Sequence, residues 1–142
     1  MRCFHVTVVA AILALGALNC NESTTIMSPR LGGRFLYKSF DSTGTKIVEG
    51  WLTLIYRDSV HITGEWHFQK VGSPQRIGPQ VGDGVLEGGV RDETVWVELQ
   101  PQNRDNNLQL TGTIENGRYH GEWVWISFVG VTNRGPFEAI RE

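Results

Sequence analysis

Cysteine is almost absent from this chain, and the two present, Cys3 and Cys20, both fall within the first twenty positions. Nothing after residue 20 can therefore form a disulfide, and any fold must hold by packing and hydrogen bonding alone. A basic excess is also missing. Thirteen Lys and Arg stand against 15 Asp and Glu, for a net charge of −2, which argues against the positive face that nucleic-acid binding requires. Past Leu18 there is no apolar run near the ~20 residues that a membrane helix needs. Outside the first twenty residues, no stretch keeps a helical period over a dozen positions. Signatures of chemistry are scarce too. No Ser, Cys or Thr comes with a nucleophile motif. The glycine-rich segment 82–89 (GDGVLEGG) precedes no helical pattern and so fails as a phosphate loop.

What is present begins with a leader. Arg2 supplies a positive charge, and Val6 to Leu18 is apolar and uncharged, the length of a signal-peptide h-region rather than of a membrane span. It ends in Ala17-Leu18-Asn19-Cys20. This resembles a bacterial lipoprotein signal, although Ala17 and Asn19 stand where leucine and a small residue are usual. The resemblance implies residues 1–19 as signal peptide, lipidation at Cys20, a polar tether over 20–30 and a folded domain over 31–142. It places the domain in the bacterial cell envelope, anchored to the membrane by lipid only. An ordinary secretory signal cut near the same point is the other reading, and it too exports the domain.

The domain is organised around Leu108 to Trp125, where two alternating apolar runs flank Asn116-Gly117. Asn-Gly is the strongest short hairpin signal, because a type I′ turn needs positive φ at both central residues. Gly121-Glu122-Trp123 after this turn repeats Gly64-Glu65-Trp66 after an earlier polar turn. Strand-like runs are read at 34–40, 46–57, 60–69, 84–91, 94–100, 108–115, 118–129 and 134–141. Short turns between such runs imply an antiparallel meander. The expected fold is all-β: about eight strands closed into a small up-and-down barrel, with a β-sandwich as the alternative.

Alternation assigns the faces. Val60, Ile62, Gly64, Trp66 and Phe68 share one side of the third run, and Tyr119, Gly121, Trp123 and Trp125 one side of the seventh. Glycine recurs inward at positions 50, 64, 88, 112, 121 and 135. Interior glycine weakens an ordinary sheet, so its recurrence points to tight coiling where backbones crowd. Trp96 falls on the polar side of its run, and with Val124, Ile126 and Phe128 it makes a candidate apolar patch.

Gly33-Arg34-Phe35 opens the first run and Arg141 closes the last. This resembles the calycins, among them lipocalins, avidins and small bacterial metalloprotease inhibitors, in which a Gly-x-Trp on the first strand lies under a basic residue of the last. Phe35 stands here in place of the tryptophan. The resemblance implies a small barrel and no particular activity.

The candidate sites follow. His61 and His67 lie about 20 Å apart along one extended strand and cannot share an ion. His120 and Glu122 sit on another strand, and no metal site or cofactor is expected. Glu87, Glu98, Glu115 and Glu122 fall on polar faces, and no enzyme is expected. Inward aromatics offer more. Trp66, Tyr119, Trp123 and Trp125 are the candidate ligand-binding residues, since an eight-stranded barrel either packs its interior or holds one small ligand. Segment 70–83, with two prolines and three glycines, is long for a structureless loop and reads as a lid or an arm. The first expected function is a non-enzymatic envelope protein that holds a small hydrophobic ligand. The alternative is a protein-interaction or inhibitor module with a solid core, acting on an envelope protein through its surface and the 70–83 loop.

Overall fold

A computed structural model describes residues 31–142. The leader 1–19, Cys20 and the tether 20–30 lie outside the described residues. Eight strands follow in order: β1 (Gly33–Phe40), β2 (Lys46–Tyr56), β3 (His61–Lys70), β4 (Gly82–Arg91), β5 (Thr94–Glu98), β6 (Asn106–Glu115), β7 (Arg118–Ser127) and β8 (Gly130–Arg141). Each pairs antiparallel with the next, and β8 returns to β1, so the meander closes into a barrel. Closure removes the free edges that an open sheet would present.

Local chemistry sets the hairpins. Asn116 and Gly117 both take positive φ, 51° and 77°, as the tight turn between β6 and β7 demands. The β2–β3 turn is tied by Asp58, whose carboxylate accepts from the backbone N–H groups of Val60 and His61. Between β7 and β8 the chain turns on Phe128 and Val129, so that β8 starts at Gly130, earlier than the sequence pattern places the eighth strand. Neither residue is a usual turn former, and Gly130, at φ 96°, absorbs the left-handed step.

The inward glycines explain the tight coil. Gly112 and Gly121 face each other across β6 and β7. A Cβ on Gly112 would fall on the His120 carbonyl, and one on Gly121 on the Thr111 carbonyl. Gly50, Gly64, Gly88 and Gly135 likewise lie against a backbone carbonyl of another strand. The six positions mark where strands bend so sharply that no side chain fits between them.

The seam between β1 and β8 runs over five residue pairs, from Phe35↔Arg141 to Ser39↔Phe137. It is finished at the lower rim by the Glu142 N–H donating to the Arg34 carbonyl at 3.0 Å. The Arg34–Glu142 ion pair at 2.7 Å lies beside it. The Arg141 guanidinium sits over the Phe35 ring, 5.3 Å from its centre. Within the barrel, Tyr119, Phe137, Tyr37, Phe68 and Trp66 touch in sequence, with centroid separations of 4.8, 5.8, 4.0 and 5.1 Å. This aromatic column fills the middle of the interior, and Leu52, Leu54, Leu86, Val97, Leu108 and Leu110 are buried around it.

Candidate functional site

The two rims differ. At the lower rim lie the short turns 57–60, 92–93 and 116–117 and both ends of the described chain. At the upper rim lie the connections 41–45, 71–81, 99–105 and 128–129. The strands reach to Lys70 and from Gly82, so the long segment is 71–81. It contains no strand pairing and crosses the barrel mouth, held mainly by side chains. Arg76 donates to the Thr132 carbonyl at 3.0 Å, and Asn133 returns a bond to the Arg76 carbonyl at 2.8 Å. Gln100 donates to the Pro79 carbonyl at 2.6 Å. Gly78 presses on Trp125 so closely that an added Cβ would stand 2.6 Å from the indole. Ile77 packs against the core.

The last residue but one of the segment is Gln80, which is wholly buried. Its amide oxygen accepts from the Ser39 hydroxyl at 2.9 Å, and its amide nitrogen donates to the Ile77 carbonyl at 2.6 Å. Ser39 is the uppermost inward residue of β1 and is itself buried. One step deeper on the same face is Tyr37. Its hydroxyl is buried with no hydrogen bond of good geometry, and Ser39 is its polar neighbour. A separate open hollow of about 370 Å³ lies between Pro79 and Val81 of the segment, Asp83 to Val85 of β4 and Leu99–Asn103 of the next connection, and Trp66 also lines it; Ser39, Tyr37 and Gln80 do not.

The four aromatic candidates divide. Trp66, Tyr119 and Trp123 are core residues whose polar atoms are bonded to backbone. The Trp66 indole donates to Leu99 and that of Trp123 to Phe40, both at 2.9 Å, and the Tyr119 hydroxyl faces the Val95 and Leu110 carbonyls at 3.2 Å. Tyr119 lies in the lower half, away from the mouth, and pairs with Ala139. Trp125 is half-buried at the mouth under Gly78, and its indole donates to the Asn106 side chain at 2.8 Å. Trp66, Trp123 and Trp125 thus gather at the upper end, and Tyr119 does not join them. Ser39, Gln80 and Tyr37 complete the mouth. Sequence alternation puts Ser39 inward, but nothing local marks Gln80, because a loop has no period.

The other candidates sit on the exterior. His61 is held by Asp58 at 2.7 Å, and His67 stacks with Trp51, 6.1 Å between ring centres. β3 pairs with β2 and β4 while β7 pairs with β6 and β8, so His120 and Glu122 are remote from both. Glu87 and Glu98 oppose each other across β4 and β5. Among the described residues no group of three His, Cys, Asp or Glu is placed to hold a metal ion. Trp96 leans over Gly89 of β4. Gln109 and Thr111 of β6 separate it from Val124, so the two do not form one patch. Phe128 and Val129 are 83% and 72% exposed at the hairpin tip.

All three tyrosines titrate above their ordinary value. Burial is the leading cause for Tyr37, Tyr56 and Tyr119 alike, with Ser39 partly opposing it at Tyr37 and Arg141 at Tyr56. A raised folded pKa means that the folded chain holds these protons more tightly than the unfolded one. Their contribution is therefore intact below about pH 10, where an unfolded tyrosine titrates, and is lost as pH rises beyond it. Tyrosinate absorbance from the buried Tyr37 and Tyr119 is expected to appear together with loss of the circular dichroism of the fold, while the half-buried Tyr56 ionises on its own. More than one tyrosine ionising before unfolding would contradict the packed column.

No protein-family model, curated protein or solved structure matches the chain.

Proposed function

We propose that the protein is a non-enzymatic binding protein of the bacterial cell envelope, tethered by a lipid on Cys20, that takes a small ligand at the barrel mouth beneath segment 71–81. One observation carries this reading. The mouth is closed by a segment without strand pairing, and that segment places a buried glutamine amide over two buried hydroxyls. A purely structural closure needs only apolar side chains such as Ile77 of the same segment. The ligand space is confined to the upper end, since the aromatic column occupies the rest. The guanidinium of Arg141 over Phe35, beside Gly33, supports kinship with the calycins at the level of architecture.

A second reading has its own support. The filled column and the exposed apolar tip at Phe128–Val129 fit an interaction or inhibitor module that works by its surface. Intact and native mass of the processed protein, purified gently from a bacterial host, separates the two. The expected result is a diacylglyceryl addition at Cys20 and a further non-covalent mass that leaves on denaturation. An unmodified Cys20 removes the anchor, and a bare polypeptide mass favours the solid module.

A further inference from the structure

We infer that the Gln80 side chain occupies the ligand's own place, and that the ligand is a small, uncharged molecule carrying a carboxamide or similar carbonyl on a flat apolar body. This rests on the mouth-binding reading above and names its ligand class. The Ser39 hydroxyl already donates to an amide oxygen, that of Gln80. The Tyr37 hydroxyl beside it is a second buried donor, whose approach to Ser39 falls short of good hydrogen-bond geometry. A carbonyl oxygen has two lone pairs, so one seated slightly deeper than that of Gln80 accepts from both hydroxyls. It thereby improves on the poor geometry that the closed form gives the Tyr37 hydroxyl.

Charge narrows the class. Among the described residues the buried polar ones are Ser39, Gln80 and Asn107, none of them ionised. A carboxylate or ammonium seated on the buried Ser39 and Tyr37 hydroxyls would leave the charged groups of the mouth, Arg76 and Asp83, behind at the exposed rim, and an unpaired buried charge is strongly disfavoured. The apolar body has a surface in the half-buried Trp125 ring, against which the segment sets Gly78, a residue without a side chain. Displacement is provided for as well. Gly72 and Gly82 bracket the segment at φ 68° and 123° with no atom crowding either. Arg76 is held in the left-handed region at φ 56°, a conformation costly for a residue with a side chain. The segment swings as a flap on its two glycines, and Gln80 leaves as the ligand's amide arrives.

Benzamide, benzoate and toluene, added to the purified protein and to Gln80→Ala and Ser39→Ala variants, test this. Binding is read by tryptophan fluorescence, and flap position by the rate of tryptic cleavage after Arg76. Benzamide is expected to bind the wild-type chain and to speed cleavage after Arg76 several-fold, while benzoate and toluene do neither. Gln80→Ala, which removes the internal competitor, is expected to bind benzamide about tenfold more tightly, and Ser39→Ala to lose it. Weaker binding by Gln80→Ala makes Gln80 a ligand contact and overturns the stand-in role. Faster cleavage with benzoate or toluene but not benzamide overturns the ligand class while leaving a ligand-opened mouth. If none of the three probes speeds cleavage after Arg76, and benzamide binds neither the wild type nor Gln80→Ala, the ligand class falls, and the native mass of the processed protein then decides the mouth-binding reading separately.

Discussion

Gly121→Ala is expected to be among the most damaging single substitutions in the barrel, costing about 3 kcal/mol or more and lowering Tm by about 10 °C or more. The added methyl would meet the Thr111 carbonyl and stand 2.6 Å from the Gly112 Cα. Both are backbone atoms of a paired strand, so no rotamer change makes room. Relief requires β6 and β7 to separate, and those strands carry the Asn116-Gly117 turn and an unbroken ladder from Asn106↔Ser127 to Glu115↔Arg118. Thr113→Ala, on the outer side of β6, is the control and is expected to move Tm by no more than a few degrees. Thermal unfolding followed by circular dichroism reads both. A Gly121→Ala protein that melts with the wild type would mean that the coil does not depend on backbone contact at this point.

Trp123→Ala is expected to cost about 3–5 kcal/mol, the range for deleting a large buried ring. The side chain is fully buried, bonds the Phe40 carbonyl and lies over Gly135, where an added Cβ would stand 2.9 Å from its indole nitrogen. Trp123→Phe keeps most of the volume and loses only the bond, for about 1–2 kcal/mol. Trp125→Ala separates structure from binding. Its ring is half-buried under a flap, so its loss is expected to cost little stability and to abolish ligand capture. Urea unfolding of the three variants, beside their affinity for benzamide, checks the division. A Trp123→Ala chain as stable as wild type would show that the ring is not part of the core that holds the barrel together.

The architecture is largely legible in the sequence because its causes are local. Alternation fixes which side chains of β3, β6 and β7 point inward, Asn116-Gly117 fixes a hairpin, and glycine at six inward positions signals close coiling. The β7–β8 turn escapes such a reading because Phe128 and Val129 carry no turn chemistry, so the apolar run continues straight through it. The mouth is legible only in part. Trp125 and Ser39 follow from strand parity, and segment 70–83 stands out by composition. Which residue of that segment enters the barrel is decided by contacts with β1, forty-one positions away in the Ser39–Gln80 bond, and no sequence period carries that information. The same limit explains why Trp66, Trp123 and Tyr119 look alike as candidates in sequence. Their different roles depend on height along the barrel axis and on which backbone carbonyl each polar atom reaches.

The short seam joining β1 to β8 also fixes the order of assembly. Every other pairing links strands that are neighbours in the chain and can form as each hairpin is made. The seam alone joins the first strand to the last, so β1 keeps its outer edge unpaired until residues 137–141 are free to pair with it. Until then the incomplete barrel carries an open edge and a half-covered aromatic face, the state most prone to sticking to other chains. The last strand thus acts as the latch of biogenesis, and a chain lacking it is expected to aggregate rather than persist as an open sheet.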